Sequence, residues 1–523
     1  MNKPSQPYEN LADAITALRR HFKSEVLLAS SIVHPRHAVP PEHLRLMTEE
    51  SRGEPVAVPG LFACFLKAGV CFLSALFDAL GLLLLQGRFA GSAKNSGAAD
   101  VLIKSWVPGR AGLENRNDFY YGPLRDMLAK EDRRALFLVG DASSDDGRLW
   151  SKLNAGRKSY QFVAACLKHP EQGRYPEILL IPWWAPLALV GRQLVLSLRL
   201  RRFAQAASDR LLKRVAARAA LDVLRPYTNK NFMFRWISRR AIQTWRPKGA
   251  ITLFEGQPWE KLFWRGVKET DPSVKLAGYQ HTVLLPHCLA LLRPEKVEGD
   301  IAAPDLVLCT GEGTRARMEE GFRPFHSDFV VLGSHRRPVA ATAAVAPRPS
   351  KKTVLVLPEG ILREMVLLFD LAMELATLLP GHEFVFRCHP VLPYEKSAPF
   401  LKRKRENFSN IQLSNRAAIQ EDFVNCSALL YRGSSAAIYS ILDGVKPIYW
   451  AGEPGPNVDP LYLVPEWKAA AGSPEAFVNI LGAFEKAPAT EWLPAWERAC
   501  GQVNAMVQPL TADSVGKFAR YLL

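Results

Sequence analysis

The stretch of sequence that decides the fold is LLYRGSSAAIYSILDG, residues 429–444. It begins with apolar residues typical of a buried strand, turns through small and polar residues at 432–435, and continues apolar almost to Gly444. This succession predicts a strand, a tight loop and a helix, the repeating unit of a parallel α/β sheet. Ser434 and Ser435 then lie at the helix start, where free backbone N–H groups and the helix dipole favour an anion.

The run FVFRCHP at 384–390 has the same form, an apolar strand that ends in polar residues. In a parallel sheet the carboxyl ends of the strands open into one ligand crevice. We therefore expect Arg387 and His389 to face the same anion as Ser434 and Ser435. Together these residues predict a phosphate pocket that uses no glycine-rich P-loop.

Strand-like runs alternate with helix-length segments along most of the chain. The predicted strands are at 99–107, 135–140, 177–182, 249–254, 274–280, 305–309, 328–332, 353–358, 383–388, 410–413, 428–431 and 447–450. An Ala-, Pro- and Ser-rich segment at 338–352 separates two sets of these strands and predicts a linker.

The sequence therefore predicts an α/β fold with two Rossmann-like domains and an interdomain cleft. We expect a helical lead-in at 1–98 and an N-terminal domain at 99–337 with a helical insertion at 183–245. The C-terminal domain is expected at 353–523, with a helical tail from about 473 that crosses back to the first domain.

The His389-Pro390 motif followed by Ser434-Ser435 resembles the donor site of GT-B-fold bacterial sialyl-, polysialyl- and Kdo-type transferases, which use CMP-activated sugars. Four upstream segments resemble a family described only as surface carbohydrate biosynthesis proteins: 104–106, 118–124, 254–260 and 278–281. The resemblance covers roughly residues 100–465. It implies the GT-B architecture and a nucleotide-sugar donor, with a phosphate held by His389 and the Ser-Ser pair.

Residues at the strand ends of the C-terminal domain are the candidates for donor binding. Simple capping is the alternative role for the two serines, solvation for Arg387 and Arg432, and a plain turn for Glu359. The candidate donor-binding residues are Arg387, His389, Pro390, Arg432, Gly433, Ser434, Ser435, Glu359 and Glu453. His389 is also a catalytic candidate, because charge that builds up on the leaving nucleotide must be stabilised.

The base for the acceptor hydroxyl is expected from the N-terminal domain. Glu255 follows the predicted strand 249–254, and His281 follows the strand 274–280, so the two side chains are expected to converge on one crevice. Glu255 is the first candidate for the base, His281 the second and Asp118 the third. The acceptor side is predicted to comprise Asp118, Gln257, Glu260 and Gln280, although Glu260 is also explained as a favourable charge in the first turn of a helix.

No Asp-x-Asp motif follows a predicted strand, so we predict a reaction that needs neither a metal ion nor a cofactor beyond the nucleotide-sugar donor. The net charge of +16 and pI of about 9.5 favour anionic partners. Nucleic acid is excluded as the expected partner because the basic residues are dispersed and match no nucleic-acid-binding motif. Eight scattered cysteines and the lack of an apolar leader indicate the cytoplasm.

Two segments suggest contact with a membrane. Residues 61–86 are almost continuously apolar, which leaves three possibilities: a spanning helix, a helix on the bilayer surface, or a core helix. Residues 178–203 place two tryptophans before a leucine run and Arg199, Arg201 and Arg202 after it, a pattern typical of an interfacial anchor. We therefore expect peripheral binding to an anionic membrane surface at the inner face of the cytoplasmic membrane.

These features together predict an inverting, metal-independent glycosyltransferase of surface polysaccharide biosynthesis, of the lipopolysaccharide or capsule type. The donor is expected to be a CMP-activated acidic sugar, and the acceptor a glycan or glycolipid. Alternatives are a GT-B transferase that uses a UDP- or GDP-hexose or CDP-glycerol, and a non-catalytic GT-B-like scaffold.

Overall fold

The N-terminal domain contains a sheet of seven parallel strands. The computed structural model describes residues 6–35, 39–89, 98–107, 111–142, 151–295, 297, 301, 303–337, 345–390, 392–453 and 456–522. Within these residues the sheet order is β3-β2-β1-β4-β5-β6-β7. The strands are β1 (Val101–Val107), β2 (Ala135–Asp141), β3 (Arg174–Pro176), β4 (Gly249–Leu253), β5 (Lys275–Gln280), β6 (Leu306–Cys309) and β7 (Asp328–Val331).

The C-terminal domain repeats this topology. Its six described strands are all parallel and have the order β10-β9-β8-β11-β12-β13. They are β8 (Thr353–Pro358), β9 (Glu383–Phe386), β10 (Ile411–Leu413), β11 (Ala428–Arg432), β12 (Lys446–Trp450) and β13 (Ala469–Ala471). In each sheet the strand order reverses next to the first strand, so ligand crevices are expected outside the ends of β1 and β4 and of β8 and β11.

Helices cover both sheets and form the insertion. Those of the first domain are α1 (Gln6–Phe22), α2 (Glu25–Leu28), α3 (Pro41–Ser51), α4 (Leu61–Arg88), α5 (Ala111–Glu114), α6 (Leu124–Lys130), α7 (Ser151–Leu167), α8 (Ala185–Ala206), α9 (Arg210–Asp222), α10 (Pro226–Trp245), α11 (Pro258–Thr270), α12 (Leu289–Leu292) and α13 (Glu312–Phe322). The later helices are α14 (Leu362–Leu378), α15 (Tyr394–Ser397), α16 (Ile419–Phe423), α17 (Ala437–Leu442), α18 (Pro474–Lys486), α19 (Ala489–Met506) and α20 (Ala512–Tyr521).

The predicted fold class, two Rossmann-like domains with a cleft and additional helices at the N-terminus and in an insertion, is confirmed. The insertion predicted at 183–245 consists of α8, α9 and α10. The last helix, α20, crosses back, because Val515, Phe518 and Leu522 are buried in the core of the N-terminal domain. The chain reaches it through residue 508, whose backbone N–H donates to the Thr310 carbonyl over 2.8 Å.

Three predicted elements differ in detail from the structure. The strand expected at 177–182 is instead β3 at Arg174–Pro176 followed by a 3₁₀ turn, which buries Leu179 and Leu180 in the hydrophobic core. The helix expected at 395–405 is reduced to α15 and two 3₁₀ turns, as Pro399 cannot continue an α-helix. The helix expected from 434 begins only at Ala437.

The predicted linker lies only partly within the described residues, since 338–344 fall outside them. The described remainder runs against the C-terminal domain, and the Val345 N–H donates to the Leu442 carbonyl over 2.7 Å. The lead-in helices are part of the first domain's packing, because Tyr8, Leu11 and Leu27 belong to the same buried cluster as its strands. All eight cysteines are free thiols, and all except the half-buried Cys388 are buried.

Candidate functional site

A cavity of about 490 Å³ lies between the two domains, at the carboxyl ends of their strands. Both domains and the end of α19 contribute to its lining. The lining residues from the first domain are His281, Thr282, Val283, Leu284, Thr310, Gly313, Thr314, Arg317, His335 and Arg336. The lining residues from the C-terminal domain and the end of α19 are Ala417, Ala418, Ile419, Gln420, Ser435, Ala436, Ile438, Tyr439, Leu463, Met506 and Val507.

Glu255 and His281 meet at the wall of the cleft formed by the first domain. Strands β4 and β5 pair Leu253 with Tyr279, so residues two positions further along stand side by side. His281 Nε2 lies 2.9 Å from Glu255 Oε1. The Tyr120 ring packs against the imidazole with its edge towards it, at a centroid distance of 4.9 Å. The structure thus forms the carboxylate and imidazole pair that the sequence predicted, and His281 is the member that lines the cavity.

Glu260 organises the loop that carries Glu255. Its buried carboxylate accepts the backbone N–H groups of Glu255, Gly256 and Gln257 over 2.9, 2.9 and 3.1 Å. Burial, and then the charge of Glu255, raise the pKa of Glu260 well above its ordinary value. The Gln257 side-chain amide donates to Glu255 Oε2 over 3.2 Å and steadies that carboxylate directly. Both residues therefore hold the candidate base in place, whereas the sequence placed them on the acceptor side.

Asp118 and Gln280 lie behind the cavity wall. Asp118 Oδ1 accepts the backbone N–H groups of Tyr120 and Tyr121 over 2.8 and 2.9 Å, and burial raises the pKa of Asp118. This turn positions the Tyr120 ring that packs on His281. The fully buried Gln280 accepts from the Thr310 side chain over 3.3 Å and thereby links β5 to β6. Neither residue lines the cavity, so contact with an acceptor falls to other side chains.

On the opposite wall, three loops of the C-terminal domain pack closely together. Gly433 has φ +75°, and a Cβ there would lie 2.2 Å from Glu359 Oε2. A Cβ on Gly360 would lie 2.8 Å from His389 Nδ1. Only glycine at these two positions lets the strand-end loops approach one another so closely. The loops after β8, β9 and β11 thus form one surface that carries Glu359 and His389, next to Ser435, although neither of these two side chains lines the cavity itself.

The titration of these two side chains is shifted in opposite directions. Burial, and next the charge of Glu364, raise the pKa of Glu359 to about 7, while Arg432 opposes the shift. Burial lowers the pKa of His389, and the positive charge of Arg336 across the cleft lowers it further. At neutral pH the His389 ring is therefore uncharged, and the Glu359 carboxyl titrates.

Two arginines predicted for the donor site are engaged in ion pairs. Arg387 Nη1 lies 2.5 Å from Asp422 Oδ2, and its Nη2 donates to the Ala417 carbonyl over 3.2 Å. Arg432 Nη1 lies 2.5 Å from Glu364 Oε2. Neither of these two predicted donor-binding residues lines the cavity. Arg387 instead fixes the loop that carries Ala417, which does line the cavity.

The remaining donor candidates separate into cavity-lining and peripheral residues. Ser435 lines the cavity, whereas Ser434 is buried and its carbonyl accepts the N–H of Ala437, the first residue of α17. Pro390 is exposed. Glu453 Oε2 lies 3.6 Å from the exposed Arg363, at the outer rim. Helix α17 has only six residues, so its dipole is small. The part of this segment that faces the cavity is Ser435 and its loop.

Arg336 and Tyr439 are cavity residues that the sequence analysis missed. The positive charge of Arg336 acts on groups of both domains, since it lowers the pKa of His335 as well as that of His389, in each case after burial. The pKa of His335 is lowered to about 4. Arg336 forms no ion pair with a carboxylate in the described part of the chain. The signal for it in the sequence is the basic run that follows β7, Ser334-His-Arg-Arg337.

Nothing in the described ranges resembles a metal centre, because no three His, Cys, Asp or Glu side chains there converge on a common point. Among the described residues, the groups that could act on a ligand are the charged and hydrogen-bonding side chains around the cavity. One wall offers a carboxylate-supported imidazole and the other a serine, and the uncharged His389 lies next to that second wall, outside the lining. Arg336 is the cation that acts on both walls.

Comparison with known proteins finds distant likeness in structure alone. No protein-family model matches the sequence, and no curated protein is similar to it. A structure of the glycotransferase of kitacinnamycin is 12% identical, covers 81% of this chain and 100% of its own, and has a TM-score of 0.44. The UDP-GlcNAc 2-epimerase of Methanocaldococcus jannaschii, in complex with UDP-GlcNAc and UDP, is 9% identical over 81% and 99% of the two chains, with a TM-score of 0.42. The glycosyltransferase SnogD of Streptomyces nogalater is 13% identical over 81% and 99%, with a TM-score of 0.37. Likeness at this distance assigns no activity.

Proposed function

We propose that the interdomain cleft binds a nucleotide-activated sugar and transfers the sugar to a hydroxyl of a glycan or glycolipid. The observation that carries the proposal is the arrangement of the two cleft walls. His281, backed by Glu255, is at one wall and Ser435 is at the other, while His389 lies outside the lining, on the neighbouring loop after β9. Arg336 supplies a positive charge to both. A displacement at a sugar carbon needs a base for the acceptor and a stabilised leaving phosphate, and these residues offer both.

In the proposed reaction His281 is the base and Glu255 supports it. The acceptor O–H gives its proton to the His281 imidazole while its oxygen bonds to the anomeric carbon. Glu255, 2.9 Å from Nε2, stabilises the imidazolium that forms. Because the acceptor enters on the face opposite the departing phosphate, the configuration at the anomeric carbon is inverted. The sequence ranked Glu255 ahead of His281 as the base, and the proposed mechanism reverses that order because His281 lines the cavity and Glu255 does not.

The bond from the anomeric carbon to the phosphate oxygen breaks in the same step, and its electrons stay on the nucleotide. Arg336 neutralises that charge, and His389 and Ser435 donate hydrogen bonds to the phosphate. An uncharged His389 still has one N–H to donate, so its lowered pKa is compatible with this role. Glu359 is proposed to bind the ribose hydroxyls, because the same loop surface carries it. These groups take the place of a metal ion in the proposed mechanism.

We further propose a CMP-activated acidic sugar as donor, of the sialic-acid or Kdo type, for a surface polysaccharide made at the cytoplasmic face of the membrane. The His-Pro and Ser-Ser resemblance and the net charge of +16 support this choice. UDP- or GDP-hexoses and CDP-glycerol are the alternative donors. A non-catalytic scaffold is the alternative of a different class, and it would need no nucleotide.

A thermal-shift panel of CMP, CDP, UDP and GDP tests the proposal, because a ligand that binds only the folded chain stabilises it by RT ln(1 + [L]/Kd). We expect CMP to give the largest shift, and Arg336→Ala to remove it. Arg323→Ala is the matched control, since Arg323 is exposed and lies outside the cavity. A larger shift with another nucleotide would change the donor, and no shift with any would favour the scaffold.

His389→Ala then tests the catalytic half of the proposal. Removal of one donor to a developing charge costs roughly 10²–10³ in rate. We expect that loss in turnover, together with weaker nucleotide binding and an unchanged circular dichroism spectrum. Turnover near that of the wild type would remove His389 from the site.

A further inference from the structure

Helix α4 has a wide apolar face that nothing in the described structure covers. It is 28 residues long, or about 42 Å at 1.5 Å per residue. One stripe of small side chains, including Cys64, Cys71 and Ala75, is buried, with Cys71 and Ala75 packed against Val190 of α8. The opposite side exposes large apolar side chains, with Phe62 79% and Leu84 75% accessible. By length and composition α4 is a candidate membrane span, with 39% of its most apolar window buried in the protein.

Charged side chains avoid this outer face. At 100° per residue, the exposed large side chains of α4 occupy about 180° of the helix circumference. The charges in the first 27 residues of the helix are Lys67 and Asp78. They are spaced by three turns, so they lie on one line, on the side of the helix that carries the buried stripe and away from the outer face. The outer face is therefore uncharged from Phe62 to Leu84.

The neighbouring α8 marks both ends of the α4 face with side chains suited to a lipid interface. The Gln86 side chain donates to the Ile181 carbonyl, close to Trp183 and Trp184, which are 44% and 41% exposed. At the other end, Arg201 Nε donates to the Pro59 carbonyl over 2.9 Å, so α8 runs antiparallel to α4. Arg202 is exposed at that end and forms no ion pair with a described carboxylate, whereas Arg199 points to the side of α8 opposite Val190 and lies over the Phe22 ring of α1. Tryptophan and arginine are the residues that favour the headgroup region of a bilayer.

We propose that the outer face of α4 binds the surface of a bilayer with anionic headgroups, and that the helix lies flat in the interface. A spanning orientation is disfavoured because α4 is packed along α8, which buries the polar side chains of Gln193 and Ser197 and carries four arginines. A helix of a second copy would cover a narrower stripe than about 180°, whereas a planar medium covers the whole sector. This docking is independent of sugar transfer, but it would bring the cleft to a lipid-linked acceptor.

Cosedimentation of the purified full chain with vesicles tests the proposal without donor or acceptor. Vesicles of phosphatidylcholine mixed with phosphatidylglycerol are compared with vesicles of phosphatidylcholine alone. The test variant, Phe62→Gln with Leu73→Gln and Leu84→Gln, changes three exposed residues along one line of the outer face. Because three large apolar side chains lose their burial in lipid, we expect binding at least about a hundredfold weaker.

The matched control changes three exposed apolar residues of the other domain, Leu378→Gln with Phe400→Gln and Val424→Gln, and should bind like the wild type. A second variant, Arg202→Gln, should bind anionic vesicles about fivefold more weakly and neutral vesicles unchanged. High salt should have the same effect as this variant.

Three results would overturn the proposal. The wild type could fail to sediment with either vesicle, or the α4 variant could bind as tightly as the control. The third is a wild-type dimer that the α4 variant converts to a monomer, without vesicle binding, since the outer face would then be a contact between copies. If the α4 variant loses its helical circular dichroism, the cosedimentation of the arginine variant and of the wild type tests the proposal instead.

Discussion

Glu255 and His281 share one chemical task in the proposed mechanism, and the 2.9 Å contact between them makes their contributions interdependent. Glu255→Gln keeps the size of the side chain but loses the charge that stabilises the imidazolium. We expect turnover to fall by about 10²–10⁴, the usual contribution of general base catalysis, while nucleotide affinity is kept. His281→Asn should cost a similar factor.

The double variant distinguishes a working pair from two separate roles. Residues that act as a unit are not additive, so its turnover should be close to that of either single variant. If the two losses multiply, Glu255 and His281 act independently. If Glu255→Gln loses nucleotide binding instead of turnover, Glu255 belongs to the donor site.

Glu359 gives the protein a pH dependence with a definite sign. Its pKa is raised from 4.5 to about 7, chiefly by burial, so the folded chain holds this proton more tightly than the unfolded chain. Its contribution to stability is complete below pH 4.5 and is lost as the pH rises through about 7. The melting temperature of the wild type, measured relative to that of Glu359→Gln, should therefore fall as the pH rises from 4.5 to about 7 and should stay constant at higher pH.

The nucleotide affinity of the wild type should fall over the upper part of the same range, because a charged Glu359 repels phosphate. Isothermal titrations at several pH values measure this affinity directly. Parallel pH profiles of wild type and Glu359→Gln, in melting temperature and in affinity, would contradict the assignment.

The tight loop between β11 and α17 depends on glycine at position 433. With φ +75° and a Cβ that would lie 2.2 Å from the Glu359 carboxylate, Gly433→Ala should cost about 1–3 kcal/mol in the free energy of unfolding. It should also weaken nucleotide binding, because Ser435 shifts with the loop. Chemical denaturation and the thermal-shift panel measure the two effects.

Gly501→Ala is the matched control for this element. Gly501 lies within α19, and its added Cβ would meet nothing within 4 Å. There, alanine should raise the unfolding free energy by about 0.5–1 kcal/mol, since glycine is a poor helix former. Equal responses at the two positions would mean that the loop between β11 and α17 is not strained by a side chain.

The crossing of the chain back to the first domain makes the last helix part of a distant core. Phe518 of α20 is fully buried among residues of the N-terminal domain. Phe518→Ala should cost about 3–5 kcal/mol by leaving a cavity. The amides of β4 and β7 should lose protection from hydrogen exchange, while those of β8 and β11 keep it. Leu481→Ala, at a buried position of the C-terminal core, should give the reverse pattern.

If hydrogen exchange in the Phe518→Ala variant rises equally in both sheets, the two domains unfold as one unit. That result would assign the tail a role in coupling the domains rather than in stabilising one of them. The contacts that link residues 506 and 508 to Thr310 would then be the connection.

The sequence alone was sufficient to predict two Rossmann-like domains, their parallel sheets and the strand ends that border the cavity. This is because strand and helix periodicity is local, and parallel strands bring their carboxyl ends to one edge. The meeting of Glu255 with His281 follows from the same rule. Only the tertiary structure decided which polar groups are available to a ligand. Arg387 and Arg432 are engaged by Asp422 and Glu364, partners 35 and 68 residues away in sequence.

Arg336 and Tyr439 enter the site for a related reason, because the docking of two domains determines which loops face each other across a cleft. The outer face of α4 is a further case. Hydropathy alone left three roles open for this helix, and the packing of its small residues determined which side remains exposed. Local patterns thus specify the elements and the sheet edge that holds the site, whereas partner choice and exposure depend on contacts between residues far apart in the chain.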